Sequence, residues 1–242
     1  MINSKLSVVI PVYNYRERII ANLETLAMFL RDQGFEFEII IVDDGSVDGT
    51  AKQIEATGLG SEFIFIKFKK NQGKGAAVKA GIAKACGGKI IFVDADLPYK
   101  LDAILRVHES LSKGSDLAIG DRTLPQSRAR FKSGFVRKIM SNIFIYFVRR
   151  LVLNDACDTQ CGLKGFNGDV AKKIFNLVSI SGFGFDAEVL AIAEENNLRV
   201  EHIPVEFTGR DGTTVCLWRD SLQMLKDLLT IRKLKRTGVY KF

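Results

Sequence analysis

Along the first half of the chain, short apolar runs alternate with stretches whose apolar residues recur every three or four positions. Leu6–Val12 is a β-branched run closed by Pro11 and Asn14, the pattern of a buried parallel strand. Ile19, Leu23, Leu26, Ala27 and Leu30 follow at helical spacing, and Gly34 ends that helix. Phe37–Val42, Phe63–Phe68, Lys89–Val93 and Asp116–Ile119 repeat the strand signature. Helices are predicted from Asp48-Gly49-Thr50 to near Gly58, over Ala76–Cys86, and around Leu101–Leu111. Such alternation predicts an α/β fold, a mostly parallel sheet with helices on both faces.

Beyond Gly120 the pattern loosens. Phe135–Leu153, Val170–Val178 and Ala187–Glu195 have helical spacing, while Gly162–Phe166 and Arg199–Phe207 suit strands. Leu217–Leu234 reads as a long amphipathic helix, a C-terminal helical elaboration on the sheet. Without repeats, low-complexity tracts or linkers, one domain over residues 1–242 is the expectation, and this length can bury a substantial core.

Composition narrows the partners. The formal net charge is +7, concentrated in Arg128–Arg150 and Arg232–Lys241. Such charge suits nucleic acid, anionic lipid or a phosphorylated substrate. The basic segments are interleaved with long aliphatics, not stacking aromatics, so nucleic acid is not expected. The four cysteines, Cys86, Cys157, Cys161 and Cys216, are too few and scattered for a disulfide framework, which fits reduced thiols in a cytosolic setting. With His108 and His202 the only histidines, a closed zinc site is not expected. Met1–Leu6 holds no apolar stretch of signal-peptide length, and no segment reaches the roughly 20 apolar residues of a spanning helix, so no membrane crossing is expected.

Two predicted strands end in paired acids. Asp94-Ala95-Asp96 follows Lys89–Val93, and Asp43-Asp44 closes the Glu38–Val42 run ahead of Gly45-Ser46. Strand alternation would aim residues i and i+2 into one crevice at the carboxyl edge of the sheet. A divalent cation there can bridge carboxylates to phosphate oxygens, which points to a nucleotide-sugar site. The plain alternative is Asp capping the following helix. Lys74, in the glycine-flanked Asn71–Gly75 loop that opens a helix, suits phosphate, although the P-loop spacing is absent.

The ordered set Val9–Asn14, Val42-Asp43-Asp44-Gly45-Ser46, Asn71–Gly75 and Asp94-Ala95-Asp96 resembles the GT-A glycosyltransferases of family 2, whose fold is Rossmann-like. Gly120-Asp121-Arg122, Asp158-Thr159-Gln160-Cys161-Gly162 and Phe185-Asp186-Ala187-Glu188 extend the likeness over nearly the whole chain. It is most similar to the polyprenyl-phosphate sugar transferases, the dolichyl-phosphate mannose and glucose synthases. The resemblance implies inverting transfer of a sugar from a nucleotide sugar, of the UDP-glucose or GDP-mannose class, to a polyprenyl or dolichyl phosphate. Residues 1–120 would then form the nucleotide-sugar half and 121–242 the acceptor half.

The implied donor site comprises Pro11, Tyr13, Asn14, Val42, Asp43, Asp44, Lys74, Asp94, Ala95, Asp96 and Arg210. Asp43 and Asp44 would accept hydrogen bonds from base or ribose. Asp94 and Asp96 would hold Mg²⁺ or Mn²⁺, with Asp96 the more direct ligand. Arg122, Arg137 and Lys138 are implied contacts of the acceptor phosphate. Asp96, Arg122 and Asp186 are the implied catalytic set. An acid such as Asp158 or Asp186 would act as base toward a hydroxyl acceptor, whereas a phosphate acceptor needs none. Three departures stand out: Tyr15 where many relatives carry Glu, Pro98 where mannose-type relatives carry Gln, and Thr213-Thr214 where Ser-Lys is usual. The Pro98 departure and the Asp-Thr-Gln-Cys-Gly stretch favour UDP and glucose; a GDP-mannose enzyme and a transferase with a soluble hydroxyl acceptor are the alternatives.

A lipid acceptor implies a membrane surface. Ile139, Ile143, Phe144, Phe147, Val148 and Leu151 of the predicted helix lie among Arg137-Lys138 and Arg149-Arg150, as in an interfacial helix or in a core helix with a solvated rim. Leu222, Leu225, Leu228 and Leu229 near Arg232–Arg236 repeat the theme. The expectation is a peripheral protein on the cytoplasmic face of a membrane, bound directly or through a membrane-protein partner.

Overall fold

The computed structural model describes residues 5–129, 145–153, 158–208 and 217–242. Seven strands form one sheet: β1 Leu6–Val12, β2 Phe37–Asp43, β3 Phe63–Lys67, β4 Lys89–Val93, β5 Leu117–Asp121, β7 Leu163–Asn167 and β8 Val200–Pro204, in the order β3-β2-β1-β4-β7-β5-β8. Only β7 runs antiparallel to its neighbours β4 and β5; the other pairings are parallel. The short strands β6 Arg128–Ala129 and β9 Glu206–Phe207 pair separately.

Both faces are covered, as the alternation predicts. Val9, Ile40, Val42, Ile90 and Phe92 face the helices α3 Lys74–Lys84, α6 Gly168–Leu177, α7 Phe185–Glu195 and α8 Leu217–Arg236. Val8, Ile10, Ile39, Ile41 and Ile91 face α1 Ile19–Asp32, α2 Thr50–Ala56 and α4 Asp102–Ser112. Strands buried on both sides read as continuous apolar runs, which is why β1, β2 and β4 were legible. Helix α3 starts at Lys74, ahead of the predicted Ala76, because Gly73 at φ 103° turns the chain into it.

The predicted Arg199–Phe207 strand is two. Pro204 has no N–H to extend the ladder, and the Val205 N–H is taken by the Ser127 hydroxyl at 3.1 Å, so the chain leaves β8 and joins β6.

Among the described residues, the two helices expected to lay apolar side chains into a bilayer turn several of them inward, while Leu229 is exposed and the Leu222 side chain lies outside the described residues. Residues 145–151 are helical (α5); Val148 is buried in the core and Phe147 and Leu151 pack against it. In α8, Leu228 and Ile231 are fully buried and Leu225 is half-buried. Burying each such side chain is worth about 1.5–3 kcal/mol, so the core claims the stripe first. What α8 presents outward is Lys226, Leu229, Lys233 and Arg236. Among the described residues no helix is long and apolar enough to cross a membrane. Ile139, Ile143 and Phe144 lie outside the described residues.

Candidate active site

The carboxyl ends of β1, β2 and β4 meet at one edge of the sheet, and the two acidic pairs lie there. Asp94 and Asp96 are not on a strand. Strand β4 ends at Val93, and the Leu97 N–H donates to the Asp94 carbonyl at 3.0 Å, closing a turn with Leu97 at φ 46°. The alternation expected to align the acids is therefore replaced by turn geometry. Asp94 is anchored by its N–H, which donates to the Gly162 carbonyl at 3.1 Å. Its carboxylate lies so close that a Cβ on Gly162 would stand 1.9 Å from Oδ2. Asp96 is exposed; desolvation by the surrounding protein and the Asp94 charge push its carboxyl above the usual range.

A lysine already faces the turn. Lys74 Nζ lies 2.6 Å from Asp94 Oδ1. Burial works against its charge, but Asp94 and Asp186 outweigh that and raise its pKa. Asp44 explains how Lys74 is placed: its Oδ1 accepts from the Gln72 N–H at 2.7 Å and its Oδ2 from the Gly73 N–H at 2.9 Å. Both oxygens expected to meet base or ribose thus shape the loop that delivers Lys74. Asp43 differs. Its Oδ2 accepts from the Ser46 N–H at 3.2 Å, while its buried Oδ1 has no hydrogen-bond partner among the described residues.

The first loop ties the two edges together. Asn14, at φ 49°, donates its N–H to Ser46 Oγ at 2.8 Å and accepts from the Val47 N–H at 2.9 Å. Pro11 and Val42 are buried partners across β1 and β2, and Tyr13 is 41% exposed at the loop tip. Asn22 donates to the Tyr15 hydroxyl at 3.3 Å and to the Ala95 carbonyl at 2.8 Å. It links the aromatic that replaces the usual Glu to the acidic turn.

Beneath the turn lies a buried ion pair. Lys164 on β7, with its side chain wholly buried, donates to Asp186 Oδ1 at 2.5 Å and to the Cys161 carbonyl at 2.7 Å. Burial raises the Asp186 pKa, and the Lys164 and Lys74 charges offset part of that rise. Both ammonium groups approach the Phe92 ring, Lys164 at 5.3 Å and Lys74 at 5.8 Å. Lys164 was missed in the sequence, where the signal is one cation inside the apolar stretch Leu163–Phe166. Burial also lifts the Cys161 thiol to about 11, which leaves it unreactive at neutral pH.

On the acceptor side, Arg122 and Asp158 form a fork. Arg122 Nε and a terminal nitrogen reach Asp158 Oδ2 and Oδ1 at 2.5 and 2.7 Å, and the Arg122 N–H adds a 3.1 Å bond. The arginine expected to meet phosphate is thus held by one of the acids expected to act as a base. Beside it, buried Asp121 accepts from Thr123 at 2.8 and 2.6 Å and pairs with His202 Nδ1 at 2.9 Å. Arg137, Lys138 and Arg210 lie outside the described residues.

A divalent cation fits this edge. Among the described residues no cluster of three or more His, Cys, Asp and Glu forms a closed site. The carboxylates of Asp94 and Asp96 suit Mg²⁺ or Mn²⁺ when phosphates complete its shell, although Lys74 rests on Asp94 and would have to give way.

The profile of glycosyl transferase family 2 matches residues 7–175. The chain belongs to that family. A family 2 relative, the dolichyl-phosphate β-glucosyltransferase of Dictyostelium discoideum, is 36% identical over 99% of this chain and 77% of its own length. The enzyme of the same name from Saccharomyces cerevisiae is 35% identical over 98% of this chain and 76% of its own. In fold, the family 2 chain matches glucosyl-3-phosphoglycerate synthase of Mycobacterium tuberculosis, solved with Mn²⁺, UDP-glucose and phosphoglyceric acid. That match has TM-score 0.70 and 19% identity, covering 95% of this chain and 80% of that one.

Proposed function

We propose that this protein transfers glucose from UDP-glucose to the phosphate of dolichyl phosphate or a related polyprenyl phosphate, with inversion. The observation that carries it is the Lys74–Asp94 pair beside Asp96 at the sheet edge, in a chain whose near-full-length relatives are dolichyl-phosphate β-glucosyltransferases. Asp94 and Asp96 would hold Mg²⁺ or Mn²⁺, whose chemistry is neutralising charge on the departing nucleoside diphosphate.

The protein's own groups do the rest. Asp43 Oδ1 receives a donor from the nucleotide, and Tyr13 offers its face to the base. Asp44 fixes the Gln72–Gly73 backbone, and Lys74 turns its ammonium to the diphosphate. Arg122, set by Asp158, meets the acceptor phosphate with its guanidinium. An oxygen of that phosphate attacks the anomeric carbon as the bond to the diphosphate breaks on the opposite side. The acceptor arrives ionised, so no proton need be removed. Asp158 is clasped by Arg122 and Asp186 is 1% exposed and bound to Lys164, which favours this over a hydroxyl acceptor.

Residues 1–120 act as the donor half and 121–242 as the acceptor half of one domain in this proposal. The outward stripe of α8, Lys226, Leu229, Lys233 and Arg236, together with exposed Tyr146 and Arg150, suits the anionic cytoplasmic face of a membrane, with or without a protein partner. The test is a screen of UDP- and GDP-sugars with dolichyl phosphate, with Mg²⁺, with Mn²⁺ and with chelator. The expected product is a β-linked glucosyl lipid phosphate, formed from UDP-glucose and lost with chelator. Transfer from GDP-mannose alone, or only to soluble hydroxyl acceptors, overturns it.

A further inference from the structure

Strand β7 carries an ammonium where its neighbours are apolar. It lies between β4 and β5, and the Lys164 side chain is wholly enclosed. Lys164 is balanced by Asp186, and the Lys74 ammonium approaches the same Phe92 ring as Lys164, at 5.8 Å against 5.3 Å from its centroid, while bonding to Asp94. Two lysines and two aspartates thus form a chain from the sheet interior to the acidic turn: Lys164, Asp186, Lys74, Asp94. Each inner group decides where the next one rests. Lys74 rests on the outer carboxylate at 2.6 Å, on a flexible stem that lies beside the ring bordering the inner pair. The inner carboxylate is taken by Lys164 at 2.5 Å.

We propose that Lys164 is a positioning residue of the donor site: by neutralising Asp186 it keeps Lys74 at the Asp94 side, as a resident counter-charge that is released to the diphosphate when Asp94 takes up the divalent cation. This deepens the proposed function and rests on Asp94 and Asp96 as cation ligands. Metal and donor binding then become linked through one ammonium. Before the donor arrives, Lys74 competes for Asp94 and weakens cation binding; with the donor bound, the same ammonium leaves Asp94 for the phosphates and the competition ends. A lysine that merely filled space in β7 would have no such reach.

The two inner partners predict shifts of opposite sign. In Lys164→Met, Asp186 is an uncompensated buried anion and draws Lys74 inward. Mn²⁺ binding without nucleotide, read by the free-ion EPR signal, then tightens roughly tenfold, and UDP binding by calorimetry weakens by about the same factor. In Asp186→Asn the Lys164 ammonium is left unbalanced and pushes Lys74 outward onto Asp94, so Mn²⁺ without nucleotide binds several-fold more weakly. The double variant Lys164→Met/Asp186→Asn recovers UDP binding relative to Lys164→Met, because no buried anion remains. All are measured on the full chain, with thermal melts alongside. Should Lys164→Met fail to fold, Asp186→Asn still decides through the sign of its Mn²⁺ shift. Variants that lose stability while leaving both affinities at wild-type values, or that shift Mn²⁺ in the same direction, overturn the role of Lys164. A wild-type protein that binds neither Mn²⁺ nor UDP overturns the donor site itself.

Discussion

A single methyl group at residue 162 tests whether the position of Asp94 matters. In Gly162→Ala the new Cβ would stand 1.9 Å from Asp94 Oδ2 and 2.4 Å from its Cγ, against an ordinary contact beginning near 3.4 Å. The Gly162 backbone cannot easily yield, because its carbonyl accepts the Asp94 N–H at 3.1 Å and the next residue enters β7. The carboxylate must therefore retreat by roughly 1.5 Å, breaking its 2.6 Å contact with Lys74. A displacement of about 1 Å in a positioned group costs on the order of 100-fold in rate, equivalent to about 2.7 kcal/mol in the barrier. Overpacking itself costs roughly 1–3 kcal/mol of stability. The assay is the initial rate of labelled glucose transfer from UDP-glucose to dolichyl phosphate over a Mn²⁺ series, with a thermal melt of each protein. Gly165→Ala is the control: its Cβ would stand 2.3 Å from Val107 Cγ1 in the packing of β7 on α4, away from Asp94. Both variants should melt earlier, but only Gly162→Ala should lose kcat/KM by about 100-fold and need more Mn²⁺. A Gly162→Ala enzyme within about threefold of wild type, or a control with the same metal defect, would refute the reasoning.

Three further outcomes are expected. Arg122→Lys loses the two-nitrogen grip on Asp158, so KM for the lipid phosphate should rise roughly tenfold or more while UDP affinity holds; equal loss of both would place Arg122 with the donor. At the opposite edge of the sheet, burial opposes ionisation of Glu38, but the Cys86 N–H, the Ser7 hydroxyl, the Cys86 thiol and Lys5 outweigh it and hold the carboxyl at about 2 against 4.5. A lowered folded pKa contributes stability that is complete above about pH 4.5 and lost as pH falls toward 2, here about 3 kcal/mol. Urea melts of Glu38→Gln should show a flatter acid limb than wild type, and identical limbs would discount this cluster. Reversing Lys226, Lys233 and Arg236 to Glu should abolish sedimentation with anionic vesicles, since each cation is worth about 1 kcal/mol at such a surface; unchanged sedimentation would move the lipid contact elsewhere.

Much of the sheet was legible because its strands are buried on both faces. A run such as Glu38–Val42 has no other stable place, and the predicted and observed strands there differ by one residue. The acidic positions were legible too, as was the helix-opening loop at Lys74. What escaped was direction. The antiparallel course of β7 leaves no trace in Leu163–Phe166, and the break at Pro204 depends on Ser127, far away in sequence. The amphipathic stripes of residues 137–153 and α8 suited a membrane face and a core face alike, because periodicity tells that a face is apolar, not what covers it; Phe147, Val148 and Leu151 join the core.

The same limit governs the charged residues, and it reorders their roles. Motif position places Asp44, Asp94, Asp158 and Asp186 alike at the site, but what already faces each carboxylate separates them. Asp44 accepts from two backbone N–H groups, Asp158 from a guanidinium and Asp186 from a buried ammonium, so all three hold other parts of the site in place whatever else they meet. Asp94 is faced by Lys74, a partner on a flexible stem that can leave, and Asp43 keeps an oxygen with no partner among the described residues. Buried acceptors are expensive to leave unmet, so a carboxylate satisfied by rigid backbone is part of the scaffold. One met by a movable charge, or by nothing, is left for a ligand. By that criterion the proposed ligand edge is narrow: Asp43, Asp94 and Asp96, with Lys74 as the group proposed to change partners.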